Sequence, residues 1–185
     1  EAVGIYSNAE LHIVLADGAV VNINMKNYAR DRDLVRDSEP KTSSDGTVTA
    51  STPLTGRCYG ILNYGDLTID AAEGCTTTPQ LNINVLGAAS AFGIYAKEVR
   101  DASSAVLEDG DVTIGAVDTN ITVRGMTGPV TINPRLLTQQ ANGYPNVSGI
   151  SSGDDITFCG VTGEDEASST QYHVQTVGGY SGHLF

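Results

Sequence analysis

The residues best suited to chemistry are an adjacent carboxylate pair in the phrase Gly153-Asp154-Asp155-Ile156 and the Gly182-His183 that follows it. An acid and a base carboxylate about 6.5–9.5 Å apart hydrolyse a glycosidic bond with inversion, and neighbouring strands can hold two groups at such a separation. The same two aspartates also occupy a corner that Asn8, Asn63 and Asp66 fill elsewhere in the chain. A corner Asp or Asn needs no catalytic role, because its side chain hydrogen-bonds the local backbone. The corner reading is preferred: no catalytic residue is assigned, and Asp154, Asp155 and His183 stand as the alternative.

Other chemistry is sparse. Carboxylates at Asp109-Gly110-Asp111 and Glu164-Asp165-Glu166 are hard oxygen ligands of the kind calcium takes, but neither run has the spacing of a calcium loop. No metal site is assigned, and calcium is the one cofactor left open. His12, His173 and His183 are scattered, with His12 and His173 at the polar position of a strand triplet, which turns them to solvent. No glycine-rich phosphate loop leads into a helix and no nucleophile elbow is present. The three cysteines lack the paired short spacing of a zinc site. Cys58 and Cys75 flank one repeat and could meet across a coil as a disulfide, leaving Cys159; buried thiols are the other reading. Tyr6, Tyr64 and Tyr95 lie near the repeats and could stack on sugar rings, while Arg30, Arg32 and Arg36 stand in a charged stretch suited to a partner.

The elements that position these residues are announced by a repeated phrase. Gly4-Ile5 leads to Leu11-His12-Ile13, Gly60-Ile61 to Leu67-Thr68-Ile69, and Gly149-Ile150 to Ile156-Thr157-Phe158. A fourth copy, Gly93-Ile94, is interrupted before Val112-Thr113-Ile114, and each copy is followed by a further alternating run such as Val21-Asn22-Ile23 or Leu81-Asn82-Ile83. Apolar residues two apart with polar ones between them predict short half-buried strands, and the Gly before each Ile predicts a corner where a side chain would clash. Fixed-phase repetition of that kind predicts an all-β parallel β-solenoid, with a pilin-like β-sandwich as the alternative. The copies are 56, 33 and 56 residues apart. Two coils of about 28 residues fit each longer interval, which predicts about six coils in a rod roughly 30 Å tall.

Ile5, Ile61, Ile94 and Ile150 are expected to stack in one internal column, and Ile13, Ile69, Ile114 and Phe158 in another, since register in a half-buried strand follows its apolar face. Loop excursions are expected near 26–46 and 97–109, the second partly helical, because apolar residues recur there at three- and four-residue intervals.

The 185 residues fit one solenoid domain, read as a segment or subunit of a larger assembly because the pattern is already under way at Gly4 and no initiator Met or signal peptide precedes it. A charged fraction of 17% is below the roughly 25% of ordinary globular domains, a secreted flavour. Net charge of −12 argues against nucleic acid, which needs clustered Lys and Arg. No apolar run reaches the roughly 20 residues that span a bilayer. Asn120-Ile121-Thr122 and Asn146-Val147-Ser148 match the glycosylation acceptor pattern.

The Gly-Ile phrase followed by Leu-Thr-Ile or Ile-Thr-Phe resembles the coils of right-handed parallel β-helices in bacterial secreted and surface proteins, among them adhesin stalks and the pectin-lyase-like group. The resemblance implies an extracellular scaffold that displays loops on a rod. Asp154-Asp155 and Gly182-His183 further resemble the paired Asp and the Gly-His of polygalacturonase-type hydrolases, but that pattern's Asn-Thr-Asp coil and Arg-x-Lys clamp are absent. The expected function is therefore a non-enzymatic surface or adhesin-type scaffold, or a filament subunit, partnered by itself or a neighbouring chain through open ends. The alternative is a carbohydrate-binding or polysaccharide-cleaving β-helix that meets surface glycans.

Overall fold

The computed structural model describes residues 2–27, 40–42, 48–50, 57–87, 90–125, 146–164, 168–177 and 182–183. The protein is all-β, with no α-helix among these residues. Seventeen strands follow one another: β1 Ala2–Ser7, β2 Leu11–Leu15, β3 Val20–Asn27, β4 Pro40–Thr42, β5 Val48–Ala50, β6 Arg57–Tyr64, β7 Leu67–Ala71, β8 Gln80–Gly87, β9 Ser90–Lys97, β10 Val99–Arg100, β11 Val106–Glu108, β12 Val112–Ile114, β13 Asp118–Gly125, β14 Asn146–Ser151, β15 Ile156–Phe158, β16 Tyr172–Val177 and β17 Gly182–His183.

Three parallel sheets share most of them, ordered β1-β6-β9-β14-β17, β2-β7-β12-β15 and β3-β8-β13-β16. The chain visits first, second and third sheet in turn and then returns to the first, one strand further along. The rows lie in the expected columns. Ile5 pairs with Ile61, Ile61 with Ile94 and Ile94 with Ile150; Ile13 pairs with Ile69, Ile69 with Ile114 and Ile114 with Phe158.

The row count differs from expectation. Ile5 and Ile61 are 56 residues apart yet directly paired, so the longer interval holds one row and an excursion instead of two coils, and among the described residues four rows, not six, cross all three sheets. Part of the first excursion is an antiparallel hairpin of β4 and β5. The stretch near 97–109 is also an antiparallel hairpin, β10 with β11, so the helical period there is overridden. Ser104 takes a positive φ at its turn, and the Asp101 carboxylate gathers the N–H groups of Ser103 and Ala105, local bonds that favour a turn over a helix.

The repeated glycines lie inside strands, not at corners. A β-carbon on Gly4 would stand 2.6 Å from the Cγ2 of Ile23, on Gly60 2.4 Å from that of Ile83, on Gly93 2.3 Å from that of Ile121, and on Gly149 2.1 Å from the Cγ1 of Val174. Those four residues form one column of the third sheet. Glycine recurs because a β-branched side chain from the opposite sheet fills the space its own side chain would take.

Between these sheets the core is a stack of aliphatic columns. Ile61, Ile69, Ile83, Ile94, Val112, Ile114, Ile121 and Val123 are almost fully buried. Of their partners in the first row, Ile5, Leu11, Ile13 and Met25 are only partly so, while Ile23 is 7% exposed.

Candidate functional site

Three surfaces concentrate the functional groups: the corner between the first and second sheets, the outer face of the first sheet, and the outer face of the third.

At the corner, carboxylates tie one row to the next. Asp66 Oδ1 accepts the N–H groups of Gly110 (3.0 Å) and Asp111 (3.1 Å), and Asp111 Oδ1 accepts that of Asp155 at 2.9 Å. The backbone repeats the step, with Leu67 donating to Asp111 and Val112 to Asp155. Gly65, at φ +102, makes the turn, and buried Asn63 donates to the carbonyls of Gly65 and Asp66. Asp155 is thus the corner residue of the last row, aligned with Asp66 and Asp111, as the turn reading expects. Elsewhere, Asp17 accepts N–H groups from Thr76 and Thr77, Asp70 from Ala116, and Asp118 from Gln171.

Asp154 differs. It is exposed, and its carboxyl is held above the ordinary value, first by the charge of Asp155, then by partial desolvation and the charges of Asp111, Asp109 and Glu98. His183 lies in β17, backbone-paired with Ser148 at the opposite end of β14 from the Asp154-Asp155 turn. Among the described residues no group of three His, Cys, Asp or Glu side chains is placed to hold a metal ion. Glu164 is exposed; Asp165 and Glu166 lie outside the described residues, as do Arg30, Arg32 and Arg36.

The Cys58–Cys75 pairing is not formed. Cys58 is buried in β6, facing the core beside Ala2 and Ala91, whereas Cys75 sits in the turn between β7 and β8, and neither these nor Cys159 forms a disulfide.

On the first sheet, Tyr59, itself buried, stacks with the half-buried Phe92 at 5.2 Å with ring planes 9° apart, and Tyr95 joins them 4.9 Å from Phe92. Tyr6 meets Tyr64 edge to face at 6.1 Å, and the Lys97 ammonium stands 5.3 Å from the Tyr64 ring centre. The structure therefore places Tyr95 in one aromatic group and Tyr6 with Tyr64 in another, with Leu62 paired between Tyr6 and Tyr95. Tyr59 and Phe92 were not singled out from the sequence. The signal is their position immediately before the repeated glycine, one residue out of phase with the inward-facing glycine.

The outer face of the third sheet carries an amide ladder. Asn82 Nδ2 donates to Asn22 Oδ1 at 3.0 Å, Asn120 Nδ2 to Asn82 Oδ1 at 3.1 Å, and Asn84 Nδ2 to Asn24 Oδ1 at 3.0 Å. Beside it a groove of about 400 Å³ is lined by Asn24, Lys26, Asn84, Leu86, Thr122 and Arg124, among others. Asn120, the asparagine of one glycosylation pattern, therefore lies within a strand, its Nδ2 donating to Asn82. Comparison with family models, curated proteins and solved structures gave no match.

Proposed function

We propose that the chain is a right-handed parallel β-helix of the kind found in bacterial secreted and surface proteins, and that it works outside the cell as a non-enzymatic scaffold or assembly subunit. The observation that carries the reading is the columnar register: like residues stand over like through four rows, with each repeated glycine seated against a β-branched residue of the opposite sheet. Such a stack is propagated by nearest-neighbour contacts and presents its excursions on an extended body. Parallel pairing in all three main sheets favours it over a pilin-like sandwich, whose sheets are antiparallel. The corner carboxylates of Asp66 and Asp111 serve the stack by bonding the next row, and Asp155 occupies the same corner position in the last row, which supports the turn reading for that residue. The low charged fraction supports an extracellular setting.

A second reading, carbohydrate binding, is favoured by one observation, the exposed Tyr6 meeting the half-buried Tyr64 edge to face, with the half-buried Phe92 and Tyr95 also on the first sheet. Aromatic faces are natural platforms for apolar ring faces.

The test pairs a panel of polysaccharides with the double variant Asp154→Asn/Asp155→Asn. The scaffold reading expects no release of reducing ends by either protein and an unchanged fold in the variant. Hydrolysis by the unsubstituted chain that vanishes in the variant would replace it with the hydrolase reading, and glycan-array binding lost in Tyr95→Ala would replace it with the second.

A further inference from the structure

The apolar residues left at the surface are not spread evenly. Of the eight large hydrophobic residues that stand exposed among those described, six lie in the first row or the last: Tyr6, Val14 and Val20 at one end, Phe158, Val161 and Val177 at the other. The other two, Val106 and Leu107, belong to the β10–β11 hairpin. The strands of these rows are also the edges of the second and third sheets, β2 and β3 at one end and β15 and β16 at the other. Among the described residues no further strand pairs with these edges, and a parallel edge offers a row of backbone donors and acceptors to any strand of matching register.

The two ends match one another. Continuing each register by one strand sets Ile156 and Phe158 of one copy beside Leu11 and Ile13 of another, and Tyr172 and Val174 beside Val21 and Ile23. Every pair is apolar on apolar, and every member is only partly buried in the single chain except Ile23, itself 7% exposed, and Phe158, which is exposed. The polar columns continue too. In the amide ladder all donors point toward β3, so Asn22 and Asn24 accept through Oδ1 and keep their Nδ2 for the next row outward. That row would bring His173 and Gln175 from β16 of the neighbour, and both side chains can accept a hydrogen bond.

We infer that each end is the binding surface for the opposite end of a second copy, stacked head to tail with β15 and β16 of one chain beside β2 and β3 of the next. The inference rests on the scaffold reading. In the first sheet the row beyond β14 is held over two positions by β17, Val147 with Gly182 and Ser148 with His183. The six-residue β1 of a second copy carries that row in full, so stacking exchanges β17 for β1. A head-to-tail contact does not close on itself unless the rotation returns to the start, so the product is an open filament. With −12 net charge per chain, the copies repel at long range, and added salt strengthens stacking.

The test uses the full chain with Cys75→Ser and Cys159→Ser, into which Asn24→Cys and Gln175→Cys are introduced separately, one protein carrying 15N so that the chains are told apart by mass. Stacked copies place the two positions one strand apart, about 4.8 Å, within reach of a disulfide. Mild oxidation of the mixture is expected to give a disulfide joining the two kinds of chain, increasing with concentration and with salt. Disulfides formed only within one kind of chain, the head-to-head outcome, would overturn the inference. So would sedimentation of the unsubstituted protein as a monomer at all concentrations, which needs no variant to fold. Amide exchange at Gly182 and His183 is expected to quicken on association. A monomer whose internal Asn82→Cys/Asn120→Cys pair still cross-links refutes stacking and leaves the scaffold reading; failure of that internal cross-link in a chain that retains its sheet content refutes both.

Discussion

Gly60 and Ile83 occupy one space between the first and third sheets: a β-carbon on Gly60 would stand 2.4 Å from the Cγ2 of Ile83 and 2.5 Å from the carbonyl oxygen of Gly93. The side chain can turn only at the expense of its rotamer, and the backbone oxygen cannot move without breaking a row. Gly60→Ala is therefore expected to destabilise by about 1–3 kcal/mol or more, the range for overpacking a dense core. Chemical denaturation checks it, and a change within a few tenths of a kcal/mol would show that the two sheets do not meet there.

The columns set a gradient of mutational cost along one register. Ile69→Ala, at a fully buried position, should cost on the order of 2–5 kcal/mol. Ile13→Ala, its partly buried partner in the first row, should cost less than Ile69→Ala in the isolated chain. Equal costs measured on dilute monomer would contradict the exposure of the first row.

Two carboxylates give pH effects of opposite sign. N–H donors from Thr77 and then Thr76 hold Asp17 below its ordinary value, so its contribution is present above the unfolded value, about 3.9, and is lost as pH falls through the folded one. The charge of Asp155, above all, holds Asp154 above its ordinary value, so ionising Asp154 works against the fold above that range and the penalty is absent once both states are protonated. Thermal melts of Asp17→Asn at neutral pH should fall below the unsubstituted protein and those of Asp154→Asn should rise above it. Both differences should shrink near about pH 3, and a common sign for the two variants would refute the assignment.

The amide ladder predicts a modest cost for its central member. Asn82 both donates to Asn22 and accepts from Asn120, so Asn82→Ala removes two exposed hydrogen bonds and should destabilise by roughly 0.5–1.5 kcal/mol per bond at most. Asn22→Ala removes one and should cost about half as much. A neutral result for Asn82→Ala in urea titration would show that water replaces the ladder without loss.

What was legible in the chain, and what was not, follows from which contacts leave a pattern. The columns are readable because every row repeats a Gly-Ile pair, so the phase is written in the side chains themselves. The number of rows is not, because spacing alone cannot tell two coils from one coil and an excursion; only the direct pairing of Ile5 with Ile61 decides it. In the third-sheet row of β13 the apolar alternation is visible only from Ile121, because its first inward residue is Thr119, a buried polar side chain satisfied by the Val117 carbonyl at 3.0 Å. At the corner, Asp155 was recognisable as a turn residue from its alignment with earlier Asn and Asp. That its carboxylate neighbours in earlier rows bond the backbone of the next row was not, since those bonds join residues more than 40 apart.

The most direct measurement of the central claim is a set of methyl–methyl contacts by NMR in protein labelled at the isoleucine methyls. Stacked rows predict cross-peaks joining Ile5 to Ile61, Ile61 to Ile94 and Ile94 to Ile150, with none from Ile5 directly to Ile94. A network in which Ile5 lacks contact with Ile61, or in which the four isoleucines connect in any other order, would contradict it.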